Sequence, residues 1–477
     1  MTEISRQSIF DLLEAISDPH TGTSLGEGKS VSEVTVDGSL VEAKLTLGYP
    51  ARGWHGELDA VARKMITQAV DGSCEININI ETKVVAHEVQ KGVTPIQGVR
   101  NIIAVASGKG GVGKSTVSSN LALALSAEGA NVGILDADIY GPSQPRMLGI
   151  SGRPKSADGK SLEPMSSYHL QAMSIGFLIE EDTPMIWRGP MVTQALEQLL
   201  NDTRWKELDY LVIDLPPGTG DTQLTLAQKV PVSGAAIVTT PQDIALLDAR
   251  KAINMFEKVE IPILGVVENM STHICSQCGY EEHIFGERGG ERMAAGYGTE
   301  KSELKISVVG TSNGPVIPKG KNVQSSFETS GAVDIDGQRT GVVRTVTTVR
   351  GGTEGETVQN SVAGKAITGN YGTLTLSNDG SYSYIADQAK AHDLDDGEKV
   401  EDVFFYECNK SVSFVGRIPL DIRIREDADS GRPTVVADPD GTVAMNYRSI
   451  ARHMSGQLAA RRRSYSDVFP SIVIQNT

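Results

Sequence analysis

The sequence is short of several things, and each shortage excludes a class. Four cysteines are spread over 477 residues, too sparse for a disulfide framework, so reduced thiols are expected. No apolar run approaches the roughly 18 residues of a membrane-spanning helix, so no membrane partner is expected. Basic charge is scarce as well: 44 Lys and Arg against 60 Asp and Glu leave a formal net charge of −16. That balance argues against nucleic acid or an anionic membrane as the main partner. The start, Met1-Thr2-Glu3-Ile4-Ser5-Arg6, has no basic region followed by an apolar run, so no secretory signal is expected. The chain reads as cytoplasmic. With 39% hydrophobic and 22% charged residues a sizeable core is available, and the length suits about three domains.

What the sequence does have is glycine, 50 residues of it, and one arrangement of glycines outweighs the rest. Gly108-Lys109-Gly110-Gly111-Val112-Gly113-Lys114-Ser115-Thr116 has the phosphate-loop spacing, two glycines bracketing four residues and then Lys and Ser. An apolar strand, Ile102 to Ala106, runs into it, and a helix pattern with Leu121, Leu123 and Leu125 runs out. Glycines let successive N–H groups turn toward phosphate oxygens, and the helix N-terminus adds its positive dipole end. Lys114 is expected on the β/γ-phosphates of ATP and the Ser115 hydroxyl on Mg²⁺.

The rest of the chain divides by pattern. Residues 1–91 read as a small α+β unit: a helix from Ile9 to Ile16, the turn Asp18-Pro19, strands around Val34–Val36 and Val41–Leu47, a helix from Leu58 to Val70, and a strand Cys74–Ile80. Residues 98–299 and 413–465 alternate apolar strands with helices, the mark of an α/β doubly wound, mostly parallel sheet. Its further strands are Val132–Asp136, Tyr210–Asp214, Ala235–Thr240 and Ile263–Glu268, with Phe414–Asp421 resuming the pattern and a helix from about Tyr447 to Arg461. Arg461-Arg462-Arg463 reads as a solvated helix end, where cations suit the dipole. Residues 301–411 alternate with period two and carry a strong hairpin turn, Asn378-Asp379-Gly380, so an inserted antiparallel β-sandwich is expected.

Ligands in such a sheet sit beyond the carboxyl ends of the strands, where the acidic residues fall. Asp136 and Asp138 follow one strand, placed to orient Mg²⁺ and the attacking water, with Asp138 favoured as the catalytic one. Asp214 ends another at the Walker B position. The run after it, Pro216-Pro217-Gly218-Thr219-Gly220-Asp221, is a switch in which Gly218 can offer an N–H to the γ-phosphate. Cys275-Ser276-Gln277-Cys278 is the other motif: two thiolates at this spacing converge on one metal. Two solutions complete the ligand set. His273 and His283 would make a zinc knuckle, or a symmetric dimer would supply two thiolates per chain to a bridging [4Fe–4S] cluster.

Several of these stretches resemble known families. The loop, with its extra Lys109, resembles the deviant phosphate loop of the nitrogenase iron protein and MinD class. That resemblance implies a homodimer in which Lys109 reaches the partner's nucleotide; it also identifies the Asp136–Asp138 stretch with the first switch. Asn269 is similar to the adenine-reading asparagine of that class. Residues 1–91 resemble the PaaD-like domain, although Tyr49-Pro50-Ala51-Arg52-Gly53-Trp54-His55 lacks the cysteine often found there. Gly372 to Tyr384 resembles the VCBS repeat of bacterial surface proteins. Taken in order, the deviant loop, Asp136-Ala137-Asp138-Ile139-Tyr140-Gly141-Pro142-Ser143, Asp214-Leu215-Pro216-Pro217-Gly218-Thr219-Gly220-Asp221, Glu268-Asn269-Met270 and Cys275-x-x-Cys278 resemble the Mrp/ApbC iron–sulfur cluster carrier ATPases. The resemblance implies ATP hydrolysis coupled to delivery of a cluster, with apo iron–sulfur proteins and the cluster assembly machinery as partners. A MinD/ParA-like positioning ATPase is the alternative.

Overall fold

The computed structural model describes residues 5–38, 40–70, 74–87, 89, 93–156, 158–178, 189–275, 277–311, 317–319, 324–326, 328–332, 342–351 and 360–461. Lys91, Ser276, Arg462 and Arg463 lie outside them. Two compact units emerge, one formed by Met1–Arg292 with Ser413–Thr477 and the other by Met293–Val412. Among the described residues no helix is long and apolar enough to cross a membrane.

The first unit opens with helix α1 (Arg6–Glu14) and the antiparallel pair β1 (Val31–Asp37) and β2 (Leu40–Leu47). Helix α2 (His55–Ala69) then returns the chain so that β3 (Glu75–Thr82) lies parallel to β2. α1 starts earlier than its apolar residues suggest because Ser5 caps it, accepting from Ser8 N at 3.1 Å. It stops before Ile16, whose carbonyl accepts from Leu25 N instead. Ile9, Leu13, Leu45, Leu47, Trp54, Leu58 and Ile66 form the core of this part.

The remainder of the unit is built on one eight-stranded sheet. In chain order its strands are β4 (Val99–Ala106), β5 (Val132–Asp136), β6 (Met165–Ser167), β7 (Leu170–Ser174), β8 (Leu208–Asp214), β9 (Gly234–Thr239), β10 (Ile263–Glu268) and the returning strand Phe414–Arg417. Across the sheet the order runs Phe414–Arg417, β10, β9, β4, β8, β5, β7, β6. All pairs are parallel except β6 with β7. The central strands are buried along their length, as continuous apolar strands covered on both faces must be. Helix α3 (Lys114–Ala127) is buried on nearly every side, and the C-terminal helix Thr442–Ala459 shares its core.

Among the described residues the second unit holds two four-stranded antiparallel sheets and a two-stranded pair, Ile317–Lys319 with Gln324–Ser326, around one core. The first contains Gly298–Val309, Lys399–Val412, Val342–Gly351 and Asn360–Val362; the second contains Glu328–Ala332, Ser381–Ile385, Thr373–Leu376 and Ala366–Thr368. Its fixed point is the fully buried Asp402, which accepts from the backbone of Asn370, Tyr371 and Gly372 and from Tyr384 Oη at 2.8 Å.

Candidate nucleotide and thiolate sites

β4 delivers the chain into the loop, and α3 begins at Lys114. Two of the glycines are sterically required. A Cβ on Gly108 would lie 2.2 Å from the backbone of Asp248, and one on Gly113, at φ +80°, would lie 2.3 Å from Asn269 Nδ2. Asn269 itself donates that nitrogen to Val112 O at 2.9 Å and props the loop from the β10 side. Ser107 Oγ donates to Lys109 O at 2.9 Å. The Lys109, Ser115 and Thr116 residues are half-buried, and Gly110 and Gly111 are exposed. Gly218 N donates to Ser107 O at 3.0 Å, so the second switch lies against the root of the loop.

Buried carboxylates gather behind the loop. Lys114 Nζ pairs with Asp214 Oδ1 and also lies 3.2 Å from Ser115 Oγ. Asp214, fully buried, further accepts from Ser118 Oγ at 2.9 Å and Gln144 Nε2 at 3.0 Å. β5 and β8 are paired so that Asp136 stands beside Asp214. Burial first, then the charge of Asp214, raises the Asp136 carboxyl above the ordinary carboxylate range. Its oxygens are nevertheless filled, by Asp138 N, Ser143 N, Gln144 N and Ser174 Oγ at 3.0–3.2 Å. Asp136 therefore holds the following loop in shape. Asp138 is half-buried, its carboxyl also raised by burial.

The oxygens of Ser115 and Asp214, with Asp138 nearby, are of the kind a hard cation takes. Among the described residues no three His, Cys, Asp or Glu side chains gather closely enough to hold a metal ion by themselves. Mg²⁺ in nucleotide sites takes one or two protein ligands and shares substrate phosphates. Ser143 Oγ and Gln144 Oε1 are buried there with no protein partner, so the residues present fit a hydrated ion. Gln144 and Ser118 carry no motif and were missed by sequence reasoning. The available signal was Ser143-Gln144-Pro145, a short helix start directly after the acidic pair.

The second site follows from the same edge of the sheet. Past β10, the short strands β11 (His273–Ile274) and β12 (Glu281–Glu282) pair as a hairpin whose connection carries Cys275 and Cys278. Cys275 N donates to Tyr280 O and Gly279 N to Cys275 O, both at 2.9 Å, closing the turn. Backbone N–H groups of Cys278 and then Gln277 favour the Cys275 thiolate and lower its pKa. Cys278 is exposed, as are the apolar side chains of Ile274, Tyr280 and Ile284. His273 and His283 each direct Nδ1 to a backbone carbonyl, of Leu420 and Ser271. Cys74 packs against the core of the N-terminal part, and Cys408 is buried in the second unit with its thiol pushed up by burial.

Residues 98–309 match the family described as NUBPL iron-transfer P-loop NTPase, and residues 6–78 match that described as iron–sulfur cluster assembly protein. The chain is similar to an iron–sulfur cluster carrier protein of Pseudomonas fragi, 59% identical over 239 residues that cover 50% of this chain and 83% of that one. The protein of the same name from Escherichia coli is 55% identical over 250 residues, 52% of this chain and 68% of that one. The one from Synechocystis sp. is 41% identical over 323 residues, 64% of this chain and 86% of that one.

Proposed function

The chain belongs to the family of iron–sulfur cluster carrier proteins, and on that premise we propose an ATP-hydrolysing homodimer that holds a [4Fe–4S] cluster and passes it to apo-proteins. The observation that carries this reading is a pair of thiols on one hairpin, Cys278 exposed and Cys275 half-buried with its thiolate favoured by backbone N–H groups, on the same unit as a phosphate loop. Two thiolates are half of the four that such a cluster takes. A second copy supplies the other pair, and the cluster is cargo bridging the two subunits.

At the nucleotide, Lys114 exchanges Asp214 for the β/γ-phosphates and neutralises charge that builds during phosphoryl transfer. Ser115 and Asp214 are the residues to hold Mg²⁺, which when bound screens the phosphate charge. Asp136 keeps the first switch folded, and Asp138 orients the attacking water and takes its proton. Lys109 serves the partner's nucleotide, and Gly218 N, once released from Ser107, serves the γ-phosphate. Asn269, moving off Val112, reads adenine. Only five residues separate Asn269 from Cys275, so a shift at the nucleotide reaches the thiolate hairpin through β10's own exit. The partners are apo iron–sulfur proteins and the cluster assembly machinery, in a cytoplasm that keeps the thiols reduced.

Anaerobic reconstitution followed by iron and sulfide counting tests this. Four irons and four sulfides per dimer, with ATP turnover, is the expected result; one colourless zinc per chain would overturn it.

A further inference from the structure

Gln144 sits where three phosphate-handling groups meet, and half of its amide is unused. The side chain is 2% exposed. Its Nε2 lies 3.0 Å from Ser115 O and 3.0 Å from Asp214 Oδ2. Both partners are acceptors, so the NH₂ group must face them, and this fixes the orientation of the amide. Oε1 is then a buried acceptor for which the protein supplies no donor. Leaving such an atom unmet keeps the cost of taking it out of water with no bond in return. Lys114 Nζ goes to Asp214 and Ser115 Oγ and Asp138 N to Asp136, while the Ser143 hydroxyl next in the chain is, like Oε1, buried without a protein partner. The backbone N–H of Gln144 itself goes to Asp136.

We propose that Gln144 is a positioning residue for the hydrated Mg²⁺, its Oε1 accepting a hydrogen bond from a metal-bound water beside Asp214. This rests on the reading of the loop as a nucleotide site. Mg²⁺ gives up its waters reluctantly and keeps several of them in nucleotide sites, and those waters are strong donors. The Nε2 bonds hold the amide between the Ser115 backbone and Asp214, so Oε1 is pre-aimed before the ion arrives. Groups that orient a metal's ligands from outside the first layer typically change metal affinity about 10–100-fold when removed.

The test measures Mn²⁺ binding to the ADP complex of the full chain by electron paramagnetic resonance, beside ADP binding in EDTA. Two variants separate the two ends of the amide. Gln144→Met removes both ends; Gln144→Glu keeps an acceptor oxygen and loses the donor. Gln144→Met is expected to weaken Mn²⁺ binding about tenfold or more while ADP binding in EDTA stays at wild type. Gln144→Glu is expected to retain Mn²⁺ affinity. Wild-type affinity in Gln144→Met, or equal losses in both variants, overturns the inference, the second outcome because it makes the Nε2 bridge the only contribution. Should Gln144→Met fail to fold, Gln144→Glu decides: retained metal affinity supports the inference and lost affinity overturns it. A wild-type chain that binds no ADP under either condition removes the nucleotide-site reading, and the inference with it.

Discussion

Arg452 reaches from the C-terminal helix to Glu128 at the far end of the phosphate-loop helix, Nη1 to Oε1 at 2.8 Å. Arg448 Nε adds a second bond to the same oxygen at 2.7 Å, and Gly53 N reaches Oε2 at 2.6 Å. One fully buried carboxylate thus ties the helix that begins at Lys114 to the C-terminal helix and to the N-terminal part of the chain. Removing it leaves two guanidinium groups without their partner in a site of low dielectric. Glu128→Ala is expected to destabilise the protein by about 3–5 kcal/mol in urea denaturation. A loss below about 1 kcal/mol would place the pair among surface ion pairs of little consequence.

The same junction is expected to be acid-sensitive. His453 lies 4.9 Å from His20, centroid to centroid, with Asp18, Arg452 and the Ser449 carbonyl also around it. Burial first, and the His20 charge after it, hold the His453 pKa below the ordinary histidine value. The unfolded chain therefore takes up this proton first as pH falls. The neutral-His contribution is complete well above about pH 6.5 and declines as pH drops through that value toward the lower folded pKa. Asp18 is different: burial opposes its charge, but bonds from His20 and Tyr49 prevail and lower its pKa. Its contribution is lost only in stronger acid. Unfolding free energies between pH 8 and 5 should fall in the wild type and flatten in His453→Gln; parallel curves would exclude His453 as the source.

Lys114 and Lys109 should separate by phenotype. Lys114→Ala is expected to lower ATP turnover by at least about 100-fold, because it removes the cation aimed at developing phosphate charge. It also strips the buried Asp214 of its counter-ion, so the nucleotide-free protein should melt lower. Among the described residues Lys109 makes no such internal pair, and Lys109→Ala should lose turnover while keeping nucleotide binding and melting temperature. Equal loss of binding and turnover at Lys109 would assign it to its own subunit's site.

Much of this was legible beforehand, and the rest was hidden for identifiable reasons. The parallel sheet showed because β4, β5, β8, β9 and β10 each carry a run of apolar residues buried on both faces, such as Ile102–Ala106 and Tyr210–Ile213. The edge pair β6 and β7 did not. Its strands are three and five residues long, and they are joined by Tyr168 and His169 at φ +50° and +65°, a turn that bulky residues rarely make. The loop and the acidic residues announce their chemistry by type and spacing. Gln144 does not, since an amide becomes informative only when its burial and partners are known. Glu128 pairs with residues 320 and 324 positions away, beyond the reach of any local pattern.

The cysteines should divide by position. Cys275→Ala and Cys278→Ala are each expected to abolish cluster binding, since two thiolates per dimer cannot serve a cluster that takes four. Cys74→Ala and Cys408→Ala should leave cluster content unchanged. In the cluster-free protein, Cys275 should be alkylated at lower pH than Cys408, whose thiol is buried and raised. Full cluster content in Cys278→Ala would falsify the bridging arrangement.

The second unit should be dispensable for both activities. Its first strand, Gly298–Val309, and its last, Lys399–Val412, form one antiparallel ladder in which Gly298 faces Lys410 and Thr299 faces Asn409. The chain therefore enters and leaves at neighbouring points, as close as paired strands, and a short connection can bridge them. The unit closes its own core around Val308, Val346, Leu374, Tyr384 and Phe404. None of the phosphate-loop residues and neither hairpin cysteine belongs to it. Closing a surface connection is cheap in entropy, about 0.6 kcal/mol per doubling of loop length. Joining Thr299 to Ser413 through a short Gly/Ser linker should give a folded protein that hydrolyses ATP and holds a cluster at the wild-type ratio. If that protein melts cooperatively yet does neither, the inserted sandwich takes part in the mechanism, and the ATPase cannot be treated as complete without it.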